Sequence, residues 1–331
     1  MELKFFTMFI TPLLIGGGET QGRNIKCDPN GLNAKALRGA WRFWFRALYG
    51  GLGHKEKKCL ELENQIFGST EKTTLRIKVI PISRLSPSEF PTLPHKRGGQ
   101  KAYREGFPPE TKFQISVWSR PSFEREKNFI TLTRWLQLSI ALWSSLGSIG
   151  CRSRRGFGSP DVDMKRCDES LRKLFTPLDL ESVNTLAISL RSRLNAIRNL
   201  AQTNFSDDAL IDLDQDRSSP TWERNYPPSS PYPFFQLRSL DQVFVGKSLG
   251  TDRDNAITQI HGSSEDDDLG YADGEKRLAS PWYLRLFQLQ GGQYVPVATF
   301  CPEKDKGRKV SWERQRPQIP DSYKRIFSKH L

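Results

Sequence analysis

Histidine is scarce in this sequence. Only His54, His95, His261 and His330 occur among 331 residues. No two of them lie close together, and each falls in an expected loop or near the C-terminus. Metal-free RNA cleavage usually recruits histidine for general acid–base chemistry, so the supply for such a reaction is thin. Cysteine is equally sparse. Cys27, Cys59, Cys151, Cys167 and Cys301 are odd in number and scattered, with no C-x-x-C pair and no histidine at zinc-like spacing. That excludes a disulfide framework and a zinc ribbon, and it points to reduced thiols in a cytoplasmic protein. No apolar run approaches the ~20 residues that span a bilayer. The stretch 5–15 has the length of a signal-peptide core, but Thr7, Thr11 and Pro12 interrupt it and no A-x-A-like site follows; it reads as a strand. The Walker pattern G-x-x-x-x-G-K-[ST] is also missing, and no Ser/His/Asp constellation stands out.

What the chain has in excess is positive charge. Fifty Lys and Arg face 37 Asp and Glu, a formal net charge of +13. A surplus spread over the whole chain favours a polyanionic partner, either nucleic acid or an anionic membrane surface. Hydrophobic residues make up 37% and charged residues 26%, enough apolar content for a core and too little charge for global disorder. The length fits two domains.

Periodicity gives the first half a clear order. Residues 3–11 alternate as a strand and stop at Pro12. Asn33 caps a helix to about residue 49, with Leu37, Trp41, Trp44 and Leu48 at i, i+4, i+7 and i+11 on one apolar face. A strand is expected at 73–82, a polar Pro/Gly-rich loop at 83–110, a third strand around Phe113, Ile115 and Val117, a second helix at about 128–146, and a short fourth strand ending near Asp163. The order β-α-β-β-α-β is the ferredoxin-like, RRM-like arrangement, with both helices on one face of the sheet and the other face free. The second half is less legible. It predicts a helix at 183–201, a loop at 220–233, a strand within 234–245, a solvated acidic run at 265–268, a hairpin of 282–289 and 294–300 around Gly291-Gly292, and a terminal helix over 319–330. The fold class is α+β, with an N-terminal domain over 1–165 and a divergent second domain over 166–331.

Three basic segments carry chemistry. On the first helix Arg38, Arg42 and Arg46 repeat every four residues with no acid beside them. Like charges at that spacing repel, so folding alone does not favour the pattern, whereas a row of guanidinium groups suits a phosphate backbone. Arg23 and Lys35 add to it. The alternative is pairing with acids elsewhere, such as Glu61 and Glu63. Trp41 and Trp44 lie on the apolar stripe and belong to the core. In the second segment, residues 147–158, Gly150, Arg152, Arg154, Arg155, Gly156, Phe157 and Gly158 combine flexible backbone with arginine, the ingredients of an anion site. This loop follows a helix and precedes a strand, the reverse of a nucleotide-binding P-loop. Phe157 is either a base-stacking ring or an inward strand residue. The third segment, around His95, Arg97, Lys101 and Arg104, grips RNA or is a solvated tip.

Several of these segments together resemble the RAMP superfamily of CRISPR proteins, and in particular the first-named RAMP subunit of type III-B (Cmr) effector complexes. The resemblance rests on Thr11-Pro12-Leu13-Leu14-Ile15-Gly16-Gly17, on Leu37-Arg38-Gly39-Ala40-Trp41-Arg42-Phe43-Trp44-Phe45-Arg46-Ala47-Leu48, and on Glu63 with Ile66-Phe67-Gly68-Ser69. It extends through Arg152-Ser153-Arg154-Arg155-Gly156-Phe157-Gly158-Ser159 to Arg277-Leu278-Ala279-Ser280-Pro281. It implies two ferredoxin-like RAMP domains in a prokaryotic, cytoplasmic, crRNA-guided antiviral complex. The subunit would hold crRNA and target single-stranded RNA near the guide 3′ end, beside other Cmr complex subunits, while a different RAMP subunit cuts the target. Arg38, Arg42, Arg46, Arg152, Arg154 and Arg155 fall on motif positions and inherit RNA binding; Arg23, Lys35, Arg97 and Lys101 rest on charge alone. No cofactor, no metal, no membrane and no DNA duplex is expected. The competing expectations are a metal-independent RAMP endoribonuclease that processes crRNA precursors with His54 or His95, and an adaptor that binds only protein.

Overall fold

The computed structural model describes residues 1–21, 24–52, 56–69, 73–92, 103–208, 237, 240–261, 272–273, 276–277, 282–301, 319 and 321–331. Arg23, Arg97, Lys101, His54, His95 and the segments 220–233 and 265–268 lie outside these residues.

The N-terminal half begins with β1 (Glu2–Phe9), which buries Leu3, Phe5, Thr7 and Phe9 on one face. A ribbon of β2 (Gly16–Gln21) and β3 (Asn24–Cys27) follows. Helix α1 (Ala34–Gly51) starts where expected, because the Asn33 side chain accepts the Ala36 N–H at 2.8 Å. Next come α2 (Glu56–Phe67), β4 (Leu75–Pro81), a second ribbon of β5 (Ser88–Pro91) and β6 (Tyr103–Gly106), and β7 (Lys112–Ser119). The short α3 (Pro121–Glu124), α4 (Phe129–Leu146), β8 (Pro160–Val162), the short α5 (Glu169–Arg172) and α6 (Val183–Asp208) complete this half. Its sheet runs β4-β7-β1-β8, antiparallel throughout. With the ribbons and α2 set aside, β1-α1-β4-β7-α4-β8 is the β-α-β-β-α-β order read from the sequence.

Helices α1 and α4 pack against one face of this sheet. Trp41 and Trp143 meet edge to face at 6.3 Å, and Trp41 also touches Phe5 of β1. Burying one indole removes roughly 200 Å² from water, about 5 kcal/mol of gross transfer free energy, so this layer fixes α1 firmly. Helix α6 covers α4 with Leu186, Leu190, Leu194 and Ile197.

The second sheet contains β9 (Val243–Gly246), followed by α7 (Arg253–His261) and the short pair β10 (Ala272–Asp273) and β11 (Lys276–Arg277), which stand apart from it. The hairpin β12 (Trp282–Gln288) and β13 (Tyr294–Phe300) comes next, then α8 (Asp321–Lys324) and β14 (Phe327–His330). The order is β12-β13-β9-β14, again antiparallel. In both sheets the first, second, third and fourth strands therefore take the same places.

Three expectations need correction. The loop over 83–110 contains the β5–β6 ribbon. Helix α2 forms where no element was expected. The terminal helix is one turn only, and its continuation pairs as β14 on the free edge of β9.

Candidate nucleic-acid interface

The glycine-arginine loop sits between the two sheets. The chain after β1 is zipped on both sides. Leu13 exchanges two 2.9 Å backbone hydrogen bonds with Phe107, just beyond β6, while the Cys151 N–H donates to the Leu14 carbonyl at 2.7 Å. Residues 13 and 14 thus hold β6 and the loop side by side, which brings Arg104 next to Arg152.

Arg152 has φ 62°, a left-handed conformation that is uncommon for a branched or long side chain. It caps a 3-10 turn over Ser153–Arg155. Burial first, then the positive charges of Arg104 and Arg155, push the Arg152 pKa below its ordinary value; the Cys151 thiol acts in the opposite sense. Among the described residues Arg152 makes no ion pair. Arg155 donates through Nη1 to the Tyr323 hydroxyl at 2.8 Å, and the Arg154 guanidinium lies over the Tyr283 ring at 4.6 Å. The three arginines fan out from one turn, and two of them reach aromatic side chains of the second sheet unit.

The loop glycines serve the fold. A Cβ on Gly150 would come within 2.6 Å of the Leu14 carbonyl, one on Gly158 within 2.0 Å of the Ile149 carbonyl, and one on Gly156 within 2.5 Å of Ile260. The N–H groups of Ile149, Cys151 and Gly158 donate to Gly158, Leu14 and Pro12 carbonyls. The Ser159 N–H donates to the Thr11 hydroxyl, which donates on to the Gly156 carbonyl at 2.7 Å. The close approach read from these glycines is to the protein itself: to backbone at Gly150 and Gly158, and to the Ile260 side chain at Gly156. Phe157 is corrected as well. Its side chain is 2% exposed and packs in the second core with Ile257, Ile260 and Leu286, so it presents no ring face to a base.

The α1 arginines also turn inward. Arg46 grips Glu63 of α2 with two hydrogen bonds, 2.6 Å from Nε and 2.8 Å from Nη2. Arg42 lies 3.6 Å from the same carboxylate and donates to the Gly68 carbonyl, while Arg38 donates to the Leu75 carbonyl at 3.2 Å. Glu63 is 2% exposed. Of the acids the sequence offered as partners, Glu63 is the one used. Lys35 remains exposed on the same helix.

Arg285 of β12 was not singled out from the sequence. It is fully buried, donates to the Ser144 and Pro160 carbonyls of the first unit, and lies over Phe287 at 4.1 Å. Burial pushes its pKa down to about 9, which leaves it charged at pH 7. Together with the Leu286 N–H on the Ser159 hydroxyl at 3.1 Å, it fastens the second unit beside the loop.

Four of the five cysteines are buried and Cys151 is half-exposed. Burial raises the Cys27 and Cys167 thiols to about 11 and pushes Cys301 up as well. We expect one thiol of five, Cys151, to react quickly with Ellman's reagent in the folded protein; two or more fast thiols would contradict this packing. Among the described residues no cluster of His, Cys, Asp and Glu is placed to hold a metal, and no helix is long and apolar enough to cross a membrane.

Comparisons with known proteins agree with the resemblance read from the motifs. Residues 8–161 match the RAMP superfamily. The CRISPR system Cmr subunit Cmr1-1 of Pyrococcus furiosus is 35% identical over 180 residues, which span half of this chain and half of that relative. The crystal structure of apo Cmr1 from Pyrococcus furiosus superposes with a TM-score of 0.54 at 21% identity, covering 95% of this chain and 92% of that one. A chain of a type III-B Cmr-beta complex bound to cognate target RNA, solved by cryo-EM, gives 0.61 at 15% identity over 93% of this chain and 96% of that one. At these identities the two solved structures bear on the fold.

Proposed function

With residues 8–161 forming a RAMP superfamily domain, we propose that this chain is a non-catalytic RNA-binding subunit of a cytoplasmic type III-B Cmr effector complex. It holds crRNA or target single-stranded RNA near the guide 3′ end, beside other Cmr subunits. Two ferredoxin-like RAMP units, built on the two sheets of equal strand order, form its body. The observation that carries the reading is the cluster of Arg104, Arg152 and Arg155. Burying a guanidinium among like charges is unfavourable for folding alone, and a phosphate placed there relieves both the repulsion and the lost hydration. Arg154 belongs to the same turn. Arg97 and Lys101, in the segment that joins β5 to β6, extend the positive charge in sequence. Arg38, Arg42 and Arg46 we assign to the fold. Guide pairing would read sequence, so this site needs only phosphate contacts.

The test is titration of a labelled single-stranded RNA into wild type and Arg104→Ala/Arg152→Ala at several salt concentrations. Each phosphate contact on a single strand contributes roughly 0.7 to the slope of log affinity against log salt. Loss of two contacts should flatten the slope by about 1.4 and weaken binding on every RNA sequence alike. An unchanged slope would refute the site. Bound RNA should also slow labelling of Cys151, which adjoins Arg152. Cleavage of repeat RNA in EDTA, abolished by His→Ala at His54 or His95, would instead establish the ribonuclease.

A further inference from the structure

The face of the first sheet turned away from α1 and α4 carries a second charged pattern. Strand register lays its side chains out in rows. Arg76, Trp118 and Glu2 form the first row; Lys78, Ser116 and Lys4 the second; Ile80, Gln114 and Phe6 the third; Lys112, Met8 and Asp161 the fourth. Alternate residues of a strand are about 6.6 Å apart, so the rows follow one another at a regular step. Lys4, Arg76, Lys78 and Lys112 are all exposed. Arg166 adds a fifth cation, its guanidinium 3.8 Å above the Phe6 ring, with Lys4 also 5.5 Å from that ring. Two acids, Glu2 and Asp161, stand on the same face. Asp163 and Asp168, along its edge, are turned onto the N–H groups of Lys165 and Ser170. Ile80 at the outer strand is 37% exposed.

We propose that this open sheet face is a second binding surface for single-stranded RNA, separate from the arginine loop. On the strands, four cations against two acids give the charge complementarity; on the edge, Arg166 stands with Asp163 and Asp168. The four lysine and arginine side chains on the strands stand free to follow a sugar-phosphate backbone. Trp118 and Phe6, both half-buried, lie on the two central strands of the face, two rows apart. Bases splayed from a single strand stack on aromatic rings and on the plane of an arginine guanidinium, and Arg166 over Phe6 presents such a plane. An acidic protein surface would use the cations but not this aromatic alternation. A duplex keeps its bases paired and stacked, so it would use the cations and not the rings. The inference rests on the reading that the chain binds RNA, but it concerns different residues.

The experiment compares Lys4→Glu/Lys78→Glu and, separately, Trp118→Ala with the Arg104→Ala/Arg152→Ala variant. The full chain is used, with a single-stranded RNA long enough to cover both surfaces and with a hairpin duplex. Reversing Lys4 and Lys78 should weaken single-stranded binding at least tenfold, and neutralising both to alanine should flatten the salt slope by about 1.4. Trp118→Ala should weaken single-stranded binding with the salt slope unchanged, since stacking releases no counterions. The lysines are exposed, so their variants keep the proposal testable if Trp118→Ala fails to fold. Single-strand affinity within twofold of wild type in the lysine variant would overturn the proposal. So would an equal loss on the duplex, or a loss of assembly with partner subunits while RNA affinity is kept. Failure of the loop variant alone would count against the arginine site and leave this face standing.

Discussion

Replacing Arg46 with alanine should destabilise the folded chain by about 3 kcal/mol while leaving the RNA affinity of the folded molecules within about twofold of wild type. Glu63 lies in a nearly solvent-free layer between α1 and α2, with a side-chain exposure of 2%. Arg46 supplies two strong hydrogen bonds to it, and Arg42 lies 3.6 Å from the same carboxylate. Removing one partner of a buried pair leaves an uncompensated charge, a loss of about 3–5 kcal/mol when nothing else is near; Arg42 places the expectation at the lower end. Adding Glu63→Gln to Arg46→Ala should recover a large part of the loss, since the remaining amide needs no cation. The check is a double-mutant cycle by urea unfolding, combined with RNA titration of the folded variants. A stability loss below 1 kcal/mol with a large fall in RNA affinity would return Arg46 to phosphate binding.

That outcome bears on what could be read from the residues. The stripe Leu37, Trp41, Trp44 and Leu48 specified α1 and its buried face, because a helix that size must hide its apolar side. The same stripe could not say where the opposite face points. Arg38, Arg42 and Arg46 looked like a free cationic row only because their partners come from elsewhere in the chain, Glu63 seventeen residues on and two backbone carbonyls. Helix α2 was missed since Glu56, Lys57, Lys58, Glu61 and Glu63 make it look solvated, although Cys59, Leu62, Ile66 and Phe67 are buried at helical spacing. At the C-terminus Tyr323, Ile326 and Phe327 fit a helix period, and the strand forms because β9 offers an edge to pair with, a tertiary preference that overrides the local one. The glycine-arginine loop was recognised as special for its composition. What its glycines approach, the carbonyls of Leu14 and Ile149, needed the fold. The first unit's order of elements along the chain, by contrast, follows from short-range signals and turns, and it was legible in advance.

The loop's own dependence on glycine yields the other large effect. Gly158→Ala should lower stability by about 3 kcal/mol or more and, where protein still folds, reduce RNA affinity. Gly158 has φ 64°, and an alanine Cβ there would meet the Ile149 carbonyl oxygen at 2.0 Å, far inside contact distance. That oxygen is backbone and cannot rotate away. Residues 149 and 158 are already tied by the Ile149 N–H on the Gly158 carbonyl at 3.0 Å, so relief requires the loop to open. Gly250→Ala separates the two contributions. It too has a positive φ, 86°, but its Cβ would meet nothing within 4 Å. The left-handed backbone alone is worth roughly 1–2 kcal/mol, and a forced overlap in a packed site adds about 1–3. Gly250→Ala should therefore lose about 1 kcal/mol and keep full RNA binding. Gly158→Ala should lose more and disturb the turn from which Arg152, Arg154 and Arg155 project. Equal losses in the two variants by thermal and urea unfolding would show that the loop tolerates the extra atom, and that its glycines do not set the position of the arginines.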